Sequence, residues 1–118
     1  MSPTVLIVDD HAGFRRTARA LLEAEGYRVV AESASGGEAL EAARRLKPAL
    51  VLLDIGLPDV DGFDVAGALS EQDEGRPMVV LTSSRDPADY RALIERSGAR
   101  GFIPKAELCG DAIAALAA

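Results

Sequence analysis

Three acidic side chains, a threonine and a lysine stand at or near the ends of short apolar runs in this 118-residue chain. Asp9 and Asp10 follow the first run, and Asp54 ends the third. Thr82 ends the fourth run, and Lys105 comes shortly after the fifth. Carboxylate oxygens are ligands for hard divalent cations, and a lysine ammonium binds phosphate oxygens. These residue types together predict metal-assisted phosphate chemistry.

Five short apolar runs recur along the chain, and we predict that each is a strand. They are Val5–Val8, Val29–Ala31, Leu50–Leu53, Met78–Leu81 and Phe102–Ile103. Three of the runs are continuous rather than alternating, which is typical of strands covered on both faces in a parallel sheet.

The segments between the runs have helical spacing of apolar residues, with start and stop signals. The predicted helical faces consist of Phe14, Ala18, Leu21 and Leu22; Leu40, Ala43 and Leu46; Phe63, Ala66 and Leu69; Tyr90, Leu93 and Ile94; and Leu108, Ala112, Ile113 and Leu116. Gly26 and Pro48 are stop signals, Ser35 and Glu38 form a capping box, and Asp86–Pro87 opens the fourth helix.

Strict alternation of five strands and five helices predicts an α/β fold with right-handed crossovers. The leading arrangement is a flavodoxin-like, doubly wound (βα)5 sandwich, with a parallel sheet in the order 2-1-3-4-5. We expect residues 1–118 to form one domain, because this length suits a single core and no linker is visible.

The predicted fold brings the polar residues to one edge, because ligands of such sheets bind beyond the carboxyl ends of the strands, between strands 1 and 3. Two carboxylates about 4 Å apart repel by roughly 4 kcal/mol at an effective dielectric constant near 20. Three crowded carboxylates therefore need a proton or a cation among them, and Mg²⁺ suits a site that stays open to phosphate oxygens.

Charge and composition exclude several other classes. The net charge of −6 argues against binding of nucleic acid by this domain, since the phosphate backbone attracts clusters of Lys and Arg. No apolar run approaches the roughly 20 residues that span a bilayer, so we expect no membrane partner. Cys109 is the single cysteine, so no internal disulfide forms, and we expect a cytoplasmic location.

The same residues resemble the receiver domain of bacterial two-component response regulators. The resemblance covers essentially the whole chain and is carried by the motifs "LIVDDH", "LVLLDIGLPDVDG", "VVLTS" and "GFIPK". Within that family, "DDH" and "KAEL" are most similar to receivers joined to LuxR-type DNA-binding domains.

The resemblance implies a metal site and a phosphoacceptor. Asp10 and Asp54 would ligate Mg²⁺ (or Mn²⁺) directly, Asp9 would help directly or through water, and Gly56 would add its main-chain carbonyl. Asp54 would attack a phosphohistidine on a sensor histidine kinase or phosphotransfer protein, giving an aspartyl phosphate.

The resemblance also implies a signalling switch rather than an enzyme with a separate substrate. Lys105 would pair with the phosphoryl group, Thr82 would donate its hydroxyl, and Phe102 would turn inward behind it. The fourth helix, fifth strand and fifth helix would report the change to an output domain or partner, including a second copy of the chain. The residues on that surface would include Tyr90, Arg91, Arg100 and Glu107.

Some positions depart from the family pattern or carry weaker signals. Ala106 stands where a proline usually follows the lysine, so a trans bond is open there. Gly56 and Ser84 are small, which predicts fast self-dephosphorylation because water reaches the phosphoryl group. His11 stands beside the acid pair, and we expect it to be a solvated loop residue, with a pH sensor or a metal contact as the alternative. Arg15, Arg16 and Arg19 form either a kinase-docking face or an ordinary solvated face.

Three other functions fit parts of the pattern. A phosphatase of the haloacid-dehalogenase type needs a second Asp two residues after the nucleophile, where this chain has Gly56. A flavodoxin-like flavin or nucleotide binder needs a phosphate cradle where Asp9 and Asp10 would repel phosphate. A receiver-like interaction module that is never phosphorylated remains the main alternative.

Overall fold

Strands and helices alternate along the computed structural model, which describes residues 3–72, 76–85 and 87–117. The strands are β1 (Thr4–Val8), β2 (Arg28–Ser33), β3 (Leu50–Asp54), β4 (Met78–Ser83) and β5 (Gly101–Pro104). The helices are α1 (Ala12–Ala24), α2 (Gly36–Leu46), α3 (Gly62–Ser70), α4 (Arg91–Arg96) and α5 (Gly110–Ala117). Turns of 3₁₀-helix occupy Pro87–Tyr90 and Lys105–Glu107.

The five strands form one parallel sheet in the order β2-β1-β3-β4-β5, which confirms the predicted topology. β1 and β3 are neighbours at the reversal of strand order, and Val8 pairs with Leu53. Asp54 pairs with Thr82 across β3 and β4. The predicted site residues therefore leave adjacent strands at the same edge of the sheet.

The core lies on both faces of the sheet, because alternate residues of the central strands point to opposite sides. Leu6, Val51 and Leu53 pack under α2 and α3, whereas Ile7 and Leu52 pack under α1 and α5. All five residues of β3 are buried. Burial of each large side chain contributes about 1.5–3 kcal/mol, so the strand that ends on Asp54 is firmly fixed.

Most predicted helix boundaries are confirmed. The Ser35 hydroxyl accepts from the Glu38 main-chain N–H at 3.3 Å, and Gly26 follows α1 with φ +92°. The fourth helix differs from the prediction, because Pro87–Tyr90 is a 3₁₀ turn and α4 begins only at Arg91. Tyr90, with φ −126°, lies outside the helical region. The predicted cap Asp86 lies outside the described residues.

Within residues 3–72, 76–85 and 87–117, every helix is too short or too polar to cross a membrane.

Candidate functional site

Acidic side chains converge beyond the carboxyl ends of β1 and β3, as the sequence predicts. Asp9 is fully buried and Asp54 is 5 % exposed, whereas the Asp10 side chain is 34 % exposed. Ligand atoms from Asp9, Asp10, His11 and Asp54 lie within 4.8 Å of one another. Charged groups are almost never fully buried without partners, so this arrangement requires compensating positive charge.

Lys105 supplies one of the compensating charges. Its Nζ lies 2.6 Å from Asp9 Oδ2 and 3.5 Å from Asp54 Oδ2. The shorter contact is an ion pair without hydrogen-bond geometry, and Asp9 Oδ2 has no hydrogen-bond partner among the described residues. The ammonium also stands 4.6 Å from the centroid of the Phe14 ring, in a cation–π contact.

The loop that carries Lys105 places its ammonium in the site although Ala106 replaces the usual proline. The Lys105–Ala106 peptide bond is trans, as are the other bonds described. Lys105 opens a 3₁₀ turn, in which the Leu108 N–H donates to the Lys105 carbonyl at 3.3 Å.

The acidic cluster fits a divalent cation. Three carboxylates and one ammonium leave two uncompensated negative charges, which one divalent ion would neutralise. The cluster offers carboxylate oxygens from Asp9, Asp10 and Asp54. Carboxylate oxygens are the preferred ligands of Mg²⁺. These three side chains can therefore hold a divalent metal ion.

The loop after β3 fixes the orientation of the Asp54 carboxylate. The Gly56 N–H donates to Asp54 Oδ1 at 3.1 Å, and the Gly62 N–H donates to the Ile55 carbonyl at 3.0 Å. A Cβ atom on Gly62 would collide with the main chain of Asp54 and Ile55. The start of α3 therefore approaches the strand end more closely than any side chain at residue 62 would allow.

Burial has the largest effect on the pKa of the Asp54 carboxyl. Loss of solvation raises the pKa of its carboxyl above the ordinary value of 3.8, and the negative charge of Asp9 adds to this. The Gly56 N–H and the Lys105 ammonium act in the opposite direction. Charging Asp54 is therefore unfavourable in the metal-free protein, and a cation in the cluster would relieve that penalty.

We expect Asp54→Asn to stabilise the metal-free protein at neutral pH. Charges 4.8 Å apart, the upper limit within the cluster, repel by roughly 3 kcal/mol at a dielectric constant near 20, so after compensation by Lys105 we expect a gain of about 1–2 kcal/mol. A raised folded-state pKa gives stability that is present below pH 3.8 and is lost as the pH rises through the folded-state value. The advantage of the variant should therefore grow with pH.

Urea unfolding in EDTA at pH 4 and pH 7 measures this difference. If the extra stability of Asp54→Asn over the wild type were smaller at pH 7 than at pH 4, the expected pH dependence would be contradicted. Carboxylates far from residue 54 are the same in both proteins, so their contributions cancel in the comparison.

A cleft of about 290 Å³ opens beside Asp54. Its lining residues are His11, Asp54, Ile55, Gly56, Asp61, Phe63, Ser83, Ser84, Arg85, Tyr90 and Lys105. Gly56, Ser84 and Arg85 are exposed. The cleft joins the phosphoacceptor candidate to solvent and has room for a phosphoryl group.

The two predicted switch residues lie next to this edge rather than in the cleft. Thr82 is 1 % exposed and pairs with Asp54, so its hydroxyl lies on the neighbouring strand. Phe102 is partly buried and packs against the core cluster that also contacts Tyr90 and Ile94.

Several contacts in the site were missed or read differently from the sequence. Arg15 was assigned to an exposed face, yet its Nη1 donates to the Asp9 carbonyl at 2.6 Å and its Nε donates to Glu32 at 3.0 Å. Arg19 also pairs with Glu32, at 2.7 Å, and this hydrogen bond lowers the pKa of the Glu32 carboxyl. The Phe14 contact joins distant segments and leaves no local signal in the sequence.

The chain is similar to known proteins in sequence and in fold. The family described as "Response regulator receiver domain" matches residues 5–116. BvgA of Bordetella pertussis, named as a transcription regulator of virulence factors, is 41 % identical over 104 residues, covering 87 % of this chain and 49 % of the relative. The nitrate/nitrite response regulator NarP of Escherichia coli is 39 % identical over 102 residues, covering 86 % and 47 %.

A similar solved structure is a two-component response regulator of the LuxR family from an Aurantimonas species. It aligns with a TM-score of 0.86 at 30 % identity, covering 99 % of this chain and 86 % of that one. The chain spans about half the length of the curated relatives it matches.

Proposed function

The chain belongs to the response regulator receiver family, and from that premise we propose that it accepts a phosphoryl group on Asp54 in a Mg²⁺-dependent reaction. The observation that carries the proposal is the position of Asp54. Its carboxylate ends a fully buried strand, faces an open cleft and lies 3.5 Å from the Lys105 ammonium. Addition of one phosphoryl group from a small phosphodonor and Mg²⁺, followed by intact-mass spectrometry, tests it.

The metal ligands in this proposal are Asp10, Asp54 and the main-chain carbonyl of Gly56, with Asp9 assisting directly or through water. When bound, Mg²⁺ (or Mn²⁺) neutralises charge on the phosphoryl oxygens. Arg15 holds the Asp9 carbonyl through Nη1, at 2.6 Å, and so fixes the loop that carries both aspartates.

The transfer step depends mainly on the orientation of the reacting groups and on stabilisation of their charge. A carboxylate oxygen of Asp54 forms the new bond to phosphorus while the bond from phosphorus to the histidine nitrogen of the donor breaks. The strand end and the Gly56 N–H hold the carboxylate in place, and Lys105 binds the arriving phosphoryl oxygens. Little other covalent chemistry is required of the protein.

Signalling in this proposal begins at Thr82. Its buried hydroxyl lacks a hydrogen-bond partner among the described residues, so a phosphoryl oxygen nearby would offer it one. Movement of Thr82 toward that oxygen would vacate space into which Phe102 turns, which shifts the population between two packings. The surface of α4, β5 and α5 would then present a different shape to an output domain or partner.

The wider role follows from the family. We assign residues 1–118 to one cytoplasmic receiver domain that promotes its own phosphorylation and dephosphorylation and is not otherwise an enzyme. Its donor would be a sensor histidine kinase or phosphotransfer protein, and the surface of α4, β5 and α5 would bind an output domain, a partner or a second copy of the chain. We assign any binding of nucleic acid to a separate output domain rather than to this one.

A receiver-like interaction module that is never phosphorylated is the second candidate. It would retain the same fold, but an interaction module does not require an acidic cluster paired with a partly buried ammonium. Absence of a mass adduct with every phosphodonor, in a protein that still binds Mg²⁺, would favour this candidate.

We expect Gly56→Met to slow the loss of the phosphoryl group roughly tenfold, because a side chain there would shield Asp54 from water. The variant should fold and be phosphorylated to the same extent as the wild type. A Cβ atom at residue 56 would lie 3.9 Å from Asp54 Oδ1, an ordinary contact, so the site has room for it. The measurement is the decay of the phosphorylated protein after the donor is removed. A decay rate equal to that of the wild type would contradict the role given to Gly56, and Gly67→Ala, on α3 with open space at its Cβ, is the control.

A further inference from the structure

The single histidine of the chain, His11, is an exposed residue before α1, as the sequence indicates, and its ring also contacts the acidic cluster. Its Nδ1 lies 3.0 Å from Asp10 Oδ1 and 3.1 Å from Asp9 Oδ1. Its main-chain N–H also donates to Asp9 Oδ1, at 2.8 Å. The ring is 70 % exposed, yet the nitrogen nearest the carboxylates is turned toward the site.

Helix capping does not account for this orientation. His11 is the N-cap residue of α1, and its side chain makes no capping hydrogen bond. Side chains that cap helices do so by accepting from main-chain N–H groups, and Ser, Thr, Asp and Asn are preferred for that purpose. The imidazole of His11 instead contacts only the two carboxylates among the contacts described for it.

The spacing of the donor atoms matches a shared ion. Two neighbouring ligands of one ion, with bonds of about 2.1 Å at right angles, lie about 3.0 Å apart. His11 Nδ1 stands at this distance from both carboxylates. The ligand atoms of the cluster are at most 4.8 Å apart. Two ligands on opposite sides of one ion would lie about 4.2 Å apart. A movement of the side chains by less than about 1 Å would therefore bring all the ligand atoms to one ion.

The charge balance of the site also favours a bound cation. Asp9 is fully buried, and its Oδ2 is paired with the Lys105 ammonium at 2.6 Å, so this one ammonium leaves two of the three carboxylate charges in the cluster uncompensated. Carboxylates this close together need a proton or a cation among them.

We propose that His11 is a nitrogen ligand of this site, so that the site binds first-row transition ions such as Co²⁺, Ni²⁺ and Zn²⁺ through mixed nitrogen and oxygen donors. Imidazole suits these ions, whereas Mg²⁺ prefers oxygen and binds through the carboxylates alone. The proposal rests on the proposed function, because it concerns the metal site of the phosphoacceptor. It assigns His11 to the choice of ion rather than to the transfer step.

Titration of the untagged protein with Co²⁺ and with Mg²⁺ tests this inference. We expect His11→Gln to lower the ratio of Co²⁺ affinity to Mg²⁺ affinity at least about tenfold, the lower end of the range for altered metal sites. The visible absorption spectrum of bound Co²⁺ should change in the same variant. Because the chain has one histidine, its ring-proton resonances are unambiguous, and bound Co²⁺ should shift them strongly.

Cys109→Ser is the control, because this exposed thiol is the other side chain that attracts transition ions and lies at the start of α5, outside the cluster. The control should leave the Co²⁺ spectrum unchanged. An equal loss of affinity for both ions in His11→Gln would overturn the proposal, as would ring protons that Co²⁺ does not shift.

Failure of the proposed function gives a different result. If Asp54 accepts no phosphoryl group with Mg²⁺ while the His11-dependent preference for Co²⁺ persists, the phosphoacceptor role is wrong and the ligand assignment stands. If phosphorylation proceeds and the preference is the same in His11→Gln, the ligand assignment alone is overturned.

Discussion

Asp54→Asn is expected to abolish the phosphoryl adduct that the wild-type protein forms with a small phosphodonor and Mg²⁺. The carboxamide is a far weaker nucleophile than the carboxylate and cannot form the acyl phosphate. It nevertheless has nearly the same shape, and the Gly56 N–H can still donate to its oxygen, as it does to Asp54 Oδ1 at 3.1 Å. Intact-mass spectrometry should show one added phosphoryl group in the wild type and none in the variant.

The matched control is Asp59→Asn, in the same loop. The Asp59 carboxylate is exposed and accepts from the Gly36 and Gly37 N–H groups at 2.8 and 2.9 Å, which lowers its pKa. Asparagine keeps one of the two accepting oxygens and loses the other, so this variant should be somewhat less stable but still fold and be phosphorylated normally. An adduct that persists in Asp54→Asn, or disappears in Asp59→Asn, would place the phosphoacceptor elsewhere.

Lys105→Met is expected to have the second-largest effect, on both phosphorylation and stability. The ammonium is the nearest cation to Asp9 Oδ2, at 2.6 Å, and also lies 3.5 Å from Asp54 Oδ2. Removal of a preorganised charge that stabilises a transition state reduces rates by about a hundredfold or more. We therefore expect phosphorylation from a small donor to slow to that extent.

Stability should fall as well in the metal-free variant. Breaking a fully buried ion pair costs about 3–5 kcal/mol, but the Lys105 side chain is 17 % exposed, so water screens part of the interaction. We expect a loss of about 1–3 kcal/mol in EDTA. Mg²⁺ should restore part of this loss, because it supplies positive charge to the same carboxylates.

Lys47→Met provides the control, because the chain contains only two lysines. Lys47 ends α2 in the left-handed region, with φ +47°, and lies outside the cleft and the acidic cluster. Its replacement should change neither the rate of phosphorylation nor the response to Mg²⁺. If Lys105→Met is phosphorylated as fast as Lys47→Met, Lys105 has no part in binding the phosphoryl group.

The pattern of the chain predicted the framework well, because its signals are local and repeated. Continuous apolar runs mark β1, β3 and β4, since both faces of a central parallel strand are buried. The capping residue Ser35 and the stop at Gly26 were also predicted, because main-chain geometry at helix ends restricts the residue types there. The start of α4 was placed too early because proline suits a 3₁₀ turn as well as a helix.

Site residues at strand ends were predicted from the sequence, whereas contacts made at the start of α1 were left open or were not predicted. Asp54 and Thr82 were placed correctly from the sequence, because strand ends in a parallel sheet meet at one edge. The contact of His11 with the acidic cluster was left open as an alternative, and the pairing of Arg15 with Glu32 was not predicted. Those contacts depend on the angle at which α1 crosses the sheet, which the spacing of apolar residues does not specify.

By itself, the sequence determined the order of strands and helices, the sheet edge that carries the chemistry, and the excess of negative charge there. Only the tertiary structure decided that the Lys105 ammonium reaches Asp9 despite the missing proline, with the Phe14 ring beside it and His11 Nδ1 against both carboxylates. The physical reason is that periodicity and burial specify faces to within a few ångströms. Ion pairing and metal coordination depend instead on tenths of an ångström, which packing between distant segments sets.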